Sequence, residues 1–269
     1  MKYFDIHCHC YPDKIAAKAL ENSQKNADVE VYSDGTVAGL QRSAISAGLD
    51  GCLNLPLVMN PDSTIAVNEW AASINDDYEN YSEIYSLGSV SPQTKNVKNI
   101  LAWIKNDLGL KGIKLHPEYQ KFKYSDKEIQ PILEGCVEND LFILTHAGRD
   151  ISFPLVPNSN PKTLLEVHRN YPELKFILGH FGSWNMWDDI DVLIGENVFL
   201  DTAFVLPFLS TQRIIEIIRA HGADKIIFGT DSPWGDQKKD LEIFKALPLT
   251  PSEQKLIFYE NAKKLLDLK

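Results

Sequence analysis

A His-x-His pair, His7-Cys8-His9, closes an apolar run that begins at Tyr3. In an extended strand successive side chains alternate faces, so His7 and His9 project together and can grip one metal ion, while Cys8 and Cys10 point the other way. That alternation argues against a mixed Cys/His zinc cluster. Further polar residues recur at the ends of later strand-like runs: His116 after Gly112-Ile113-Lys114-Leu115, His146 after Leu144-Thr145, His180 after Leu178-Gly179 and Asp231 after Phe228-Gly229-Thr230. Five of the seven histidines lie at such ends, whereas His168 and His221 fall in helical stretches and read as structural or exposed. Neutral imidazoles with a carboxylate suit Zn²⁺ or Mn²⁺, and a catalytic site of this kind keeps one position open for water. The ion brings the pKa of that water toward neutrality and polarises a substrate carbonyl or carboxylate.

Positioning these residues requires a repeated element. Apolar runs bounded by Gly, Pro or polar residues occur at about 3–9, 50–56, 84–91, 112–116, 141–146, 175–180, 197–202 and 225–231, most of them followed by a helix-like segment. Eight strand-plus-helix units imply parallel strands with right-handed crossovers, and the fold class is α/β, a (β/α)8 TIM barrel in a single domain over 1–269. Continuous apolar runs such as Phe142-Ile143-Leu144 fit strands buried between a barrel core and outer helices. In such a barrel all strand C-terminal ends meet at one face, so the six site residues converge there. Ser125-x-x-Glu128 and Thr250-Pro251-Ser252-Glu253 have the capping-box arrangement and mark two helix starts. Ile214, Ile217, Ile218 and His221 form one helical packing stripe, and Leu256, Tyr259, Lys263 and Leu266 another. The gap at 10–33 predicts an excursion over the barrel mouth.

The net charge of −10 makes non-specific attraction to nucleic acid or an anionic membrane unfavourable. Four cysteines without a CxxC pair, in a chain long enough to build its own core, predict free thiols and a reduced, cytoplasmic setting. Neither a signal-peptide pattern nor an apolar run of about 18 residues is evident, so no membrane association is expected.

The order of His-x-His on the first run, His on the fifth, Gly-His-x-Gly on the sixth and Thr-Asp on the eighth resembles the amidohydrolase superfamily of metal-dependent barrels. Asp-Ile-His-x-His, Gly-Ile-Lys-Leu-His-Pro, Thr-His-Ala-Gly, Gly-His-Phe-Gly and Gly-Thr-Asp-Ser-Pro are most similar to its amidohydrolase-2 branch. That branch contains lactonases and other hydrolases together with non-oxidative decarboxylases of the aminocarboxymuconate-semialdehyde type. The likeness spans residues 4–234, with Glu260-Asn261-Ala262 similar to the family's closing segment. It implies that His7, His9, His146 and Asp231 ligate a divalent metal, Zn²⁺ foremost with Mn²⁺ as the other candidate. It further implies that His180 is an acid/base or substrate-polarising histidine or a ligand of a second ion, and that Asp231 doubles as the proton carrier. Lys114 or His116 stands where many binuclear relatives place a bridging carboxylated lysine or glutamate. The alternative is an ion-paired Lys114 and a pocket-lining His116.

TatD-type nucleases also open with His-x-His, but resemble one another in a glutamate ligand where this chain has Lys-Leu-His. PHP-type phosphoesterases need late paired histidines that Asp231-Ser232-Pro233 does not provide. Trp184 and Trp234 follow strand ends, as do Tyr11, Phe153, Phe181 and Trp187, and an aromatic wall suits a small planar substrate. Arg149 offers a bidentate partner for a substrate carboxylate. The leading expectation is hydrolysis of a small amide, lactone or ester by metal-activated water, with Asp231 and His180 moving protons. A metal-dependent decarboxylase is the alternative, and a non-catalytic metal- or ligand-binding barrel is the third reading. The expected partner is a small molecule, and homo-oligomers are common among such barrels.

Overall fold

The computed structural model describes residues 1–27, 29–75, 83–153 and 157–268. Its strands are β1 (Phe4–Cys8), β2 (Gly51–Asn54), β3 (Glu83–Ser86), β4 (Gly88–Ser89), β5 (Gly112–Leu115), β6 (Phe142–Thr145), β7 (Phe176–Leu178), β8 (Phe199–Asp201) and β9 (Ile226–Ile227), every pairing between them parallel. β3 and β4 are two halves of one strand, because the Leu87 amide between them still donates to Asn54 O at 3.0 Å. The eight resulting strands follow chain order. The ring closes where Ile6 N donates to Phe228 O at 3.0 Å and Cys8 bridges Ser232. All eight apolar runs of the sequence are strands of this (β/α)8 barrel.

Side-chain alternation sorts the apolar residues into two cores. Phe4, Ile6, Leu53, Phe142, Leu144 and Ile177 fill the barrel interior, where Tyr259, Ala262 and Leu266 of the C-terminal segment join them. Ile113, Leu115, Ile143, Phe176 and Leu178 face the surrounding helices. A register irregularity in β1 between Asp5 and Cys8 lets Ile6 and His7 both point inward while Cys8 and Cys10 join the outer core. All four cysteines are free and buried.

The helices are α1 (Asp13–Asn26), α2 (Val37–Ala47), α3 (Thr64–Asn75), α4 (Val97–Asn106), the short α5 (Pro117–Gln120), α6 (Gln130–Glu138), α7 (Pro161–Asn170), α8 (Thr211–His221), α9 (Gln237–Lys245), α10 (Pro251–Lys255) and α11 (Asn261–Leu266). α1 occupies the excursion after β1 and lines the barrel mouth. Thr250 and Glu253 form the expected capping box. Ser125 forms none: Asp126 precedes a 3-10 turn over Lys127–Ile129, and α6 starts only at Gln130, with Pro131 as its second residue. The stripe Ile214, Ile217, Ile218 and His221 is buried, whereas in the second stripe Tyr259 and Leu266 are buried but Leu256 and Lys263 only partly so. A π-helical turn over Leu256–Glu260 inserts an extra residue and turns Ile257 and Phe258 inward. Between β7 and β8 the described chain makes only 3-10 turns, His180–Gly182 and Trp187–Val192, in place of the expected helix. Among the described residues, no helix is long and apolar enough to cross a membrane.

Candidate metal and substrate site

The C-terminal ends of the strands gather the polar residues. Asp231 Oδ1 lies 3.3 Å from His7 Nε2 and 3.2 Å from His9 Nε2. His146 Nδ1 lies 3.1 Å from His180 Nε2, and the rings of His7 and His180 have centroids 5.0 Å apart. Lys114 Nζ is 3.2 Å from His7 Nε2. His116 stacks on His146, with centroids 4.3 Å apart and planes within 8°, and its Nε2 is 3.4 Å from Asp150 Oδ2. The six residues at the strand ends thus share one rim.

The outer nitrogens of the four inner histidines fix their tautomers. His9 Nδ1 sits 3.0 Å from Leu55 O, His146 Nε2 3.0 Å from Arg149 O and His180 Nδ1 2.8 Å from Ala203 O. A carbonyl oxygen only accepts, so each of these nitrogens carries the proton. His7 Nδ1 likewise donates to the Asp201 carboxylate at 2.8 Å. The opposite nitrogen of each neutral ring is therefore bare. His7 Nε2 and His9 Nε2 turn their lone pairs to Asp231, and the lone pairs of His146 and His180 oppose each other. His7, His9 and Asp231 bring their donor atoms within 4.8 Å of one another and fit a divalent cation, while a second such set is His116, His146 and Asp150. Two ligands on ~2.0–2.1 Å bonds stand roughly 3.0–3.4 Å apart, which matches the spacings at Asp231 and between His146 and His180.

Electrostatics agree with neutral imidazoles. Burial, reinforced by Lys114, holds His7 well below the ordinary imidazole pKa. His116 is lowered well below it for the same two reasons, and His146 by burial and then by His116. Burial opposes ionisation of Asp231, but the adjacent imidazoles, His7 foremost, outweigh it and keep the carboxyl well below the usual range. Lys114, only 1% exposed, is lowered by burial to about 8 despite the nearby Asp201 and Asp231.

Backbone strain concentrates at the same rim. His180, Phe181 and Asp231 all adopt left-handed φ, at 58°, 53° and 68°. Asp201, absent from the sequence-based candidates, holds this part together: Oδ2 accepts from His7, while Oδ1 accepts from the amides of His180 at 2.8 Å and Ala203 at 3.1 Å. Its only sequence signal is an acidic residue closing the seventh apolar run, Val198-Phe199-Leu200-Asp201.

Above the donors opens a cavity of about 490 Å³, lined at its floor by His7, His9, Lys114, His116, His180 and Asp231. Tyr11, Trp184 and Trp234 are in its wall, and the indole N–H groups of both tryptophans are buried without a hydrogen-bond partner. Phe181 instead packs into the outer core, Trp187 lies against that core, and Phe153 stands edge-on to Tyr119. The Arg149 side chain is not among the lining residues, so Lys114 is the lysine or arginine of the described wall. His168 and His221 are both buried in helices outside the rim, and His221 is fastened to Gly195 N and Val198 O.

A parallel eight-stranded barrel with His-x-His, three further histidines and an aspartate on its C-terminal rim resembles the metal-dependent amidohydrolase class of barrel. The Amidohydro_2 amidohydrolase family matches residues 68–268, well over half the chain, and the protein belongs to that family. Over 119 residues the chain is 30% identical to a gamma-resorcylate decarboxylase from Polaromonas sp., a match spanning 36% of this chain and 36% of that protein. An uncharacterised TIM-barrel protein from Bordetella bronchiseptica has the same fold, with a TM-score of 0.79, 18% identity and 99% of each chain covered. So has a dihydroxybenzoic acid decarboxylase from Polaromonas sp. with bound manganese and 2-nitroresorcinol, at a TM-score of 0.73 and 16% identity, covering 99% of this chain and 97% of that one.

Proposed function

We propose that the protein is a metal-dependent, non-oxidative decarboxylase of a small carboxylated substrate. In the reaction the bond from a carbon to its carboxylate breaks, CO₂ departs and a proton takes its place on that carbon. His7, His9, His146 and Asp231 hold the cation, Zn²⁺ or Mn²⁺, with His180 beside them. A divalent ion there supplies Lewis acidity that draws charge from a substrate oxygen and fixes its orientation. A proton taken up from solvent passes by way of His180 to the ionised Asp231, which hands it to the carbon as CO₂ departs. Lys114, as the lysine of the floor, takes the carboxylate-pairing role expected of Arg149. The partnerless indole N–H groups of Trp184 and Trp234 serve as donors to substrate oxygens.

The same donors would also serve hydrolysis of an amide, lactone or ester. The observation that favours decarboxylation is the apolar character of the cavity wall beyond the floor, built from residues such as Pro12, Leu55, Pro56, Leu57 and Phe204. A wall of that kind desolvates a carboxylate, and loss of CO₂ disperses the charge that desolvation penalises. The local likeness to a gamma-resorcylate decarboxylase supports the same choice. The test is product analysis of metal-loaded protein with a panel of hydroxybenzoates, lactones and amides in D₂O enriched in ¹⁸O. Expected are CO₂ and one deuterium on the product carbon. A product that instead carries solvent ¹⁸O in a newly formed carboxylate makes the enzyme a hydrolase.

A further inference from the structure

The cavity does not stop at the barrel axis. Its wall continues onto α1 and α3, where Ile15 and Ala19 on one helix and Ala66, Val67 and Trp70 on the other line the same space. On α1 the lining positions 15, 19, 22 and 23 fall on one helical face, and on α3 the positions 66, 67 and 70 do so. Each helix therefore turns a face to the cavity. Small side chains at Ala19, Ser23 and Ala66 keep the space between them open.

This annex is chemically unlike the floor. The Ser23 hydroxyl is satisfied within its own helix, donating to Ala19 O at 3.2 Å, which leaves the exposed Asn22 as the other polar side chain on that face of α1. The described residues that line the annex contribute no charged group, whereas Lys114, Asp231 and the histidines are confined to the floor. Ile15 and Met59, exposed by 50% and 53%, carry the apolar surface out to the mouth. A planar acid seated on the floor would leave these faces in water. An apolar substituent extending from it would cover them, and each buried methylene tightens binding about fourfold.

We propose that the substrate is an acid whose reacting head carries an uncharged alkyl chain, the head resting on the histidine floor and the chain lying between α1 and α3. The assignment of the head rests on the decarboxylase reading; that of the chain rests on the annex alone. The annex is continuous with the reacting floor, which makes the substrate's own tail its occupant.

The test uses the metal-loaded full chain and calorimetric titration. The probes are 2-nitroresorcinol and its 5-methyl, 5-propyl and 5-pentyl homologues, with a second series from ethylbenzene to pentylbenzene that lacks the polar head. The expected result is a gain of about fourfold per methylene, so that propyl exceeds methyl by at least tenfold. Ala66→Trp, which fills the annex, is expected to cut the gain below twofold per methylene. Affinities flat within twofold across both series in the unsubstituted protein, or no binding in either, overturn the annex as a chain site. A steep slope in the headless series, with no CO₂ released from the matching 5-alkyl-2,6-dihydroxybenzoates, keeps the annex and overturns the decarboxylase reading.

Discussion

His146 Nδ1 and His180 Nε2 stand 3.1 Å apart, and the outer nitrogen of each ring is committed to a backbone carbonyl, Arg149 O for one and Ala203 O for the other. Two neutral imidazoles in this relation present lone pair to lone pair. A cation relieves that repulsion. His146→Asn is therefore expected to weaken divalent-metal binding by at least about 100-fold, since even outer partners of ligating histidines are worth 10–100-fold. Metal content after dialysis measures it, together with the loss of metal-induced stabilisation, about 2.7 kcal/mol at a free concentration 100 times Kd. A variant that retains one tightly held ion per chain would show that His146 is not a ligand.

Asp201 acts one step removed from the proposed ligands. It accepts from His7 Nδ1 and pins the His180 and Ala203 amides, so it sets both a tautomer and a strained turn. Asp201→Asn replaces one acceptor oxygen by an N–H and removes the charge that favours the Nδ1–H form of His7. The expected loss of metal affinity is about 10–100-fold with the far-ultraviolet circular dichroism unchanged. Unaltered affinity in a folded variant would reduce Asp201 to a backbone clamp.

Acid should destabilise the metal-free protein. His7, His116 and His146 have folded pKa values below the ordinary 6.5, burial being the first cause for each. Below pH 6.5 the unfolded chain takes up protons that the folded chain refuses, so stability falls as pH drops through that window. Above it these rings are neutral in both states and contribute no slope. Each histidine adds up to about 1.4 kcal/mol per pH unit. Denaturant titrations in chelator at pH 7.5, 6.5 and 5.5 check this. Equal midpoints at pH 7.5 and 5.5 would mean that these rings accept protons in the native state.

The eight strands were legible because their apolar runs are continuous and regularly spaced, and each site histidine followed one. Convergence at one rim then followed from parallel topology. Asp201 was not legible, since a single acidic residue after Phe-Leu is also what a strand end facing water looks like. Tautomers were hidden too, because the carbonyls of Leu55, Arg149 and Ala203 that set them leave no mark in the sequence. The phase error at Leu256 has a different origin: a stripe drawn at 3.6 residues per turn cannot anticipate a wider π turn. Ser125 failed as a cap because Asp126, with its carboxylate accepting from the Lys123 amide at 2.7 Å, makes the local turn instead.

The seam between the first and last strands is where Asp231 N donates to His7 O at 2.8 Å and His9 N to Ser232 O at 2.6 Å. Partners separated by more than two hundred positions meet there. A growing polypeptide consequently displays His7 and His9 early but cannot bring Asp231 to them until more than two hundred further residues have been made. An ion held between His7, His9 and Asp231 would bind only once the circle of strands has shut.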